Sequence, residues 1–120
     1  MELNIFGNPL ISCCNNPLTG YFRDGYCRTI SLDRGKHLVC AIVTKEFLEF
    51  SASQGNNLIT PMPQWNFPGL KPGNKWCLCI SRWLEAVEQG KAPPIILEAT
   101  HQKALKFTSL KLLKSFAFKS

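Results

Sequence analysis

The stretch Leu38-Val39-Cys40-Ala41-Ile42-Val43-Thr44 joins a run of apolar residues to a hydroxyl side chain. A short apolar run without polar alternation predicts a strand that is buried on both faces, here over 38–43. Because threonine is a favoured helix N-cap, Thr44 is expected to begin a helix over 45–54, with Gly55 as its stop. The fold therefore starts from a buried strand that leads directly into a helix.

The same pattern follows twice more along the chain. Trp76-Cys77-Leu78-Cys79-Ile80 predicts a second buried strand, and Ser81 follows it at the start of an expected helix over 81–89. Residues 94–99 predict a third strand, which ends at Thr100, the expected cap of a further helix. If the second and third strands share a sheet, the helical connection makes them parallel, and the segment is a βαβ unit.

Length and composition indicate one domain. The chain has 120 residues, and hydrophobic residues at 45% with charged residues at 18% exclude a disordered chain and a coiled coil. We expect a single α+β domain with a small mixed sheet and three to four helices. It divides into a turn-rich N-terminal segment over 1–36, a strand and helix core over 37–100, and a basic helical segment over 101–120.

The positive charge is concentrated at the C-terminus. The formal net charge is +6 at pH 7, and residues 101–120 contain five lysines and no acidic residue. Helices are expected over 100–106 and 109–117, the second with Leu110 and Leu113 on one apolar stripe. Such lysines are usually a solvated helix face, so we expect only weak attraction to nucleic acid and no specific complex. No apolar run is long enough to cross a membrane.

Six cysteines stand in a chain whose first residues lack the basic and apolar regions of an export signal. The expected location is therefore the cytoplasm, where thiols stay reduced. Zinc sites usually contain Cys-x-x-Cys pairs, and the sequence contains none, so neither a metal nor a cofactor is expected. Most of the thiols are expected to be structural. Cys77, Cys79 and Cys40 are the candidates for a reactive or redox thiol, with His101 as the assisting base.

Two irregular segments are candidates for a binding site. Residues 56–74 contain prolines and glycines in place of any periodic pattern, and a loop of this length is typical of a lid or a binding loop. Its Trp65, Phe67 and Leu70 are expected to pack against the domain. The stretch Tyr21-Phe22-Arg23-Asp24-Gly25-Tyr26 predicts a hairpin with an Arg–Asp pair at its tip. It also fits a recognition loop, because arginine and tyrosine are frequent where partners bind.

The three strand-to-helix junctions are expected to share one edge of the sheet, if all three strands run parallel. Helix N-termini present free N–H groups and partial positive charge, which favour an anion. The alternative is plain helix capping by serine and threonine. The candidate ligand-binding residues are those at the junctions or in the irregular segments: Thr44, Arg82, Thr100, His101, Arg23, Asp24 and Trp65.

Several stretches together resemble a known bacterial family. They include Asn16-Pro17-Leu18-Thr19-Gly20-Tyr21-Phe22-Arg23-Asp24-Gly25, Phe67-Pro68-Gly69-Leu70-Lys71-Pro72-Gly73, Trp76-Cys77-Leu78-Cys79 and Glu98-Ala99-Thr100-His101. The combination, spread over residues 8–105, resembles the family called domain of unknown function 2237. The resemblance implies a stand-alone cytoplasmic domain of this length, without an established activity, cofactor or catalytic residue.

The chain departs from the pattern of that family at three positions. The family usually has acids where this sequence has Asn57 and Asn74, and a second cysteine where it has Tyr26. The resemblance therefore gives no support to metal-binding carboxylates or a vicinal thiol pair at these positions.

Three functional hypotheses follow. The favoured one is a small binding module with a pocket at the strand-to-helix edge, under the 56–74 loop and beside the 17–27 turn. Its ligand would be a small anionic or carbonyl compound, or a partner protein. The second hypothesis is a cysteine-dependent enzyme or thiol redox protein, and the third is weak nucleic-acid binding through the lysines. Neither the substrate nor the oligomeric state follows from the sequence.

Overall fold

A computed structural model describes most of the chain, namely residues 2–14, 19–28, 36–65 and 67–118, without the side chain of Trp65. Two of the expected turns, at Asn16-Pro17 and Arg34-Gly35, lie outside the described residues.

Two strands form the centre of the fold, as the apolar runs predict. β1 spans His37–Ile42 and β2 spans Lys75–Cys79. They pair antiparallel, with Cys40 opposite Cys77. Four consecutive residues of β1 are buried, which confirms a strand covered on both faces.

Each strand leads directly into a helix, but only the first helix has the expected cap. The α-helices are α1 at Lys45–Ser53, α2 at Ile80–Glu88 and α3 at Leu110–Ser115. Thr44 accepts the Phe47 amide at 3.1 Å, which confirms it as the N-cap of α1. Ser81 is not a cap, because α2 begins one residue earlier and Cys79 occupies the cap position without a side-chain hydrogen bond.

The third predicted strand, over 94–99, does not form as a regular strand. Ile95 makes one isolated antiparallel bridge with Ala41, and Leu97–Ala99 is a 3-10 turn. The physical reason is that Pro93 and Pro94 have no N–H to donate to a ladder. Trp76 and Ile95 both pair antiparallel with Ala41, so their segments run in the same direction on opposite sides of β1. The two segments on either side of α2 thus run parallel, as expected, but β1 lies between them and the second is not a regular strand.

The main core lies between this sheet and the helices. Trp83 and Phe47 are its largest fully buried side chains, and the Trp83 indole donates to the Pro93 carbonyl at 3.2 Å. From the C-terminal segment, Leu113 is fully buried and the Phe116 ring lies edge-on to Trp83 at 5.2 Å. The chain is thus a mixed α+β domain, as predicted, and the apolar stripe of its last helix faces the core. Among the described residues, no helix has the length and apolarity to cross a membrane.

Candidate functional site

The strand-to-helix junctions do not share one edge of the sheet. Because β1 and β2 are antiparallel, Ile42 pairs with Lys75 at one end and His37 pairs with Cys79 at the other. The N-termini of α1 and α2 therefore lie at opposite ends of the sheet. A common anion site built from helix starts, which required parallel strands, is absent from this arrangement.

The polar residues at the junctions have local structural partners. Arg82 donates to the Gln54 carbonyl at 3.1 Å and contacts Glu85 at 3.4 Å. The fully buried Thr100 hydroxyl donates to the Ile96 carbonyl at 2.9 Å and accepts the Cys40 amide at 3.3 Å. Thr100 therefore holds a turn against β1 and does not cap a helix.

His101 is the cap of the following 3-10 turn, and both of its ring nitrogens are used. Nδ1 accepts the Lys103 amide at 3.0 Å, so the proton resides on Nε2. Nε2 lies 2.6 Å from Glu2 Oε1 and donates to it. Neither nitrogen is left to serve a thiol as a base, so His101 ties the N-terminal segment to the domain instead.

The contact between Glu2 and His101 predicts a pH-dependent stability. The hydrogen bond from His101 lowers the pKa of Glu2 below its ordinary 4.5. A depressed carboxylate pKa adds stability above the ordinary value, and this stability is lost as the pH falls through the lower value of the folded state. We expect Glu2→Gln to destabilise the protein at neutral pH and to destabilise it less at about pH 3. Urea unfolding at both pH values, with the exposed-site variant Glu88→Gln as control, measures this; an equal loss at both would contradict it.

The cysteines are not all thiols, contrary to the expectation from the sequence. Disulfides join Cys13 to Cys40 and Cys27 to Cys77, across sequence separations of 27 and 50 residues. The prediction was wrong because these pairs converge only through the tertiary fold. Cys40 and Cys77 are fully buried and bonded, so neither is a nucleophile in this state. Cys14 and Cys79 are free and half-buried.

Residues 19–28 form a compact turn and not the predicted hairpin, since no strand occurs in this range. The Gly25 amide donates to the Thr19 carbonyl at 2.9 Å, and the Arg23 amide donates to the Gly20 carbonyl at 3.0 Å. Gly20 has a φ of +98° and lies directly against the Tyr26 carbonyl. Any Cβ at this position would collide with that carbonyl, so the turn requires glycine.

The hairpin prediction paired Arg23 with Asp24, and this pair does not form. Asp24 instead binds Arg28 at 2.8 Å. The Arg23 guanidinium lies 5.0 Å from the centre of the Trp76 ring. Its backbone φ of +55° is in the left-handed region, which costs a side chain with a Cβ about 1 kcal/mol or more. Such conformations are retained where the surroundings enforce them, and they are frequent at binding sites.

A cleft of about 220 Å³ lies beside Arg23, between its turn and the 56–74 loop. Its lining residues come from the turn, from both strands and from the loop: Arg23, His37, Asn57, Leu58, Met62, Phe67 and Trp76. Among these residues, Arg23 is a ligand candidate from the sequence, and Phe67 is one of the residues expected to pack against the domain. The side chain of Trp65, another ligand candidate, is outside the described part of the chain.

The described part of the 56–74 loop is held in shape by hydrogen bonds within it and packs on the domain through apolar side chains. Met62 and Phe67 exchange backbone hydrogen bonds of 2.8 and 3.2 Å, and the Leu70 amide donates to the Leu58 carbonyl at 2.8 Å. The buried Phe67 ring lies edge-on to Trp76 at 5.1 Å. Phe67 and Leu70 are both buried, as expected from the sequence. The loop thus supplies a rigid apolar wall to the cleft.

Arg23 gives this cleft its positive charge. Partial burial lowers the pKa of the Arg23 guanidinium, which stays protonated at neutral pH. Within the described residues, no carboxylate lies within ion-pair distance of it. Sequence reasoning missed Trp76, whose apolar neighbours along β2 marked it only as a core residue.

A comparison with protein families agrees with the resemblance noted from the sequence. The family described as "Uncharacterized protein conserved in bacteria (DUF2237)" matches residues 3–117. The comparison with curated proteins gives no match. Because the family match covers nearly the whole chain, the protein belongs to this bacterial family.

Proposed function

We propose that the protein is a small binding module that holds a small anionic ligand in the cleft between the Arg23 turn and the 56–74 loop. The observation that carries this proposal is the position of Arg23. Its guanidinium is held over Trp76 by a left-handed backbone, without a carboxylate partner among the described residues. A charge held in this way is available to a ligand.

The chemistry of the guanidinium favours a carboxylate or a phosphate. When one face of the group stacks on an aromatic ring, its N–H donors still point outward in the plane and can bind two oxygens at once. Partial burial strengthens the attraction, because the charge pair is less screened than in bulk water. Asn57 is not expected to contribute, since its side chain already binds the Ile59 and Thr60 amides and the Thr60 hydroxyl.

The size and walls of the cleft favour a small ligand with a planar apolar part. Its volume of about 220 Å³ is below the range of roughly 300–1,000 Å³ that is typical of sites for drug-sized molecules. Leu58, Met62, Phe67 and Trp76 supply apolar and aromatic surface. A planar ring carrying one anionic group fits both requirements.

The test is a thermal-shift screen of wild type against small aromatic carboxylates and phosphates, followed by titration calorimetry on the compounds that stabilise it. We expect Arg23→Gly to weaken binding roughly tenfold to a hundredfold in Kd, because a lost charge-assisted hydrogen bond costs about 1.5–3 kcal/mol. Glycine also relieves the positive φ, so the stability of the variant should stay within about 1 kcal/mol of wild type.

Arg82→Gln is the matched control, because it also removes an arginine, but one that does not line the cleft. It should leave binding unchanged. Equal binding by wild type and Arg23→Gly, or loss of binding only in Arg82→Gln, would contradict the proposal.

A thiol reaction at Cys79 is the second candidate, because Cys40 and Cys77, the other two thiols considered from the sequence, are in disulfides. This cysteine is free and half-buried, and it is the cross-strand partner of His37. We rank it second because Cys79 is not among the residues that line the cleft beside Arg23.

We further propose that the protein acts in the cytoplasm and binds neither a membrane nor a specific nucleic-acid sequence. Lys103, Lys106, Lys111 and Lys114 are all exposed, which suits a solvated face. Lys119, the fifth lysine of the segment, lies outside the described residues.

A further inference from the structure

Three cysteine sulfurs converge beside the main core, and a fourth is bonded to one of them. The Sγ atoms of Cys13, Cys27 and Cys77 all lie within 4.8 Å of one another, and all three residues are buried. Cys40 is bonded to Cys13 and stands opposite Cys77 in the strand ladder, where facing side chains are about 5 Å apart. The four cysteines come from four separate parts of the chain, and three of their sulfurs form one close cluster to which the fourth is bonded.

We propose that these four cysteines, once reduced, bind one thiophilic divalent cation such as Zn²⁺ as a closed tetrathiolate site. Zinc with four cysteine ligands has Zn–S distances of about 2.3 Å, which places the sulfurs about 3.8 Å apart at the corners of a tetrahedron. The Sγ atoms of Cys13, Cys27 and Cys77 already lie within 4.8 Å of one another and need shifts of about 1 Å to reach this arrangement. Cys40 Sγ, which is bonded to Cys13, has to move toward the other two sulfurs once that bond is reduced. Because the cluster is buried, no coordination position is open to substrate, so the ion has a structural role.

No local motif indicates this site, because the cysteines of each pair are far apart in the chain. Zinc knuckles take two cysteines from one turn, whereas here the two bonded pairs are separated by 27 and 50 residues. The cluster appears only when the N-terminal segments pack onto β1 and β2.

Both disulfides must be reduced before the metal ion can bind. A phosphine reductant and one water convert each disulfide into two thiols and one phosphine oxide, so each S–S bond takes up two electrons and two protons. The four thiols then release their protons to solvent as the divalent cation binds the thiolates. In a reducing compartment, dithiol proteins perform the first step by exchange, and clustered cysteines there more often bind metal than form disulfides.

The test uses the full chain, reduced with a phosphine under anaerobic conditions and titrated with Co²⁺, the spectroscopic substitute for Zn²⁺. We expect one Co²⁺ per chain, with thiolate charge-transfer bands and the intense d–d bands of a tetrahedral site. Zn²⁺ should displace the cobalt and raise the melting temperature of the reduced chain. The double variant Cys14→Ser/Cys79→Ser should keep the full spectrum, whereas Cys27→Ser should lose it.

Several results would overturn the proposal. These are the absence of tetrahedral bands at one equivalent of Co²⁺, bands that persist unchanged in Cys27→Ser, or bands lost in the Cys14→Ser/Cys79→Ser variant. If Cys27→Ser does not fold, the spectrum of the double variant and the effect of Zn²⁺ on the reduced wild type decide the question.

Discussion

A chain that ends at Phe107 should lose cooperative unfolding, or melt far below the full-length protein. The truncation removes Leu113, whose side chain is fully buried, and burial of this kind is worth about 2–5 kcal/mol in leucine-to-alanine series. It also removes the Phe116 ring from Trp83 and two hydrogen bonds to the Ile95 backbone, at 2.9 and 2.7 Å. The combined loss is comparable with the total stability of a small domain, about 5–15 kcal/mol.

Urea unfolding followed by tryptophan fluorescence and circular dichroism measures this effect. Lys111→Ala is the control, because it shortens an exposed side chain of the same helix and should change stability by less than about 0.5 kcal/mol. A truncated chain with the wild-type midpoint and slope would show that α3 is not part of the core.

Loss of the disulfide between Cys27 and Cys77 should also be costly. The bond closes a loop with a sequence separation of 50 residues, and the entropy of that closure is worth about 4 kcal/mol. Cys27 belongs to the turn that carries Arg23, and Cys77 is next to Trp76 in β2. We therefore expect Cys27→Ser to lower the free energy of unfolding by several kcal/mol. The apparent affinity for the ligand should fall in proportion to the fraction of chains that remains folded.

The matched control is Cys14→Ser, which removes a free and half-buried thiol. Under oxidising conditions without metal, it should behave as wild type. Equal stability of wild type, Cys14→Ser and Cys27→Ser would mean that the disulfide does not constrain the chain in solution.

Local sequence signals predicted the elements well, because they depend on neighbouring residues. The apolar run over 38–43 produced β1, and Thr44 capped α1 as a hydroxyl side chain should. The direction of pairing between β1 and β2 is not a local property, and the arrangement of three parallel strands that the shared edge required does not form. For the same reason, the three helix starts do not share one edge of the sheet.

The cleft beside Arg23 shares two segments with the pocket expected from the sequence. That pocket was placed at the strand-to-helix edge, under the 56–74 loop and beside the 17–27 turn, whereas the cleft is lined by the turn and the loop but by none of the junction residues. The sequence did not show that Asp24 would pair with Arg28 and leave Arg23 over Trp76. That outcome depends on a turn whose shape is set by Gly20 and by the disulfide of Cys27, both of which act through contacts made in the folded chain.

The most direct test of the proposed binding site is an NMR titration of isotope-labelled protein with the small aromatic carboxylates and phosphates of the screen. We expect saturable chemical-shift changes that are largest at the Arg23 side-chain Nε–H and the Trp76 indole N–H. Shifts that are largest at Thr44 and Arg82, or no saturable shift at Arg23 with any compound, would contradict it.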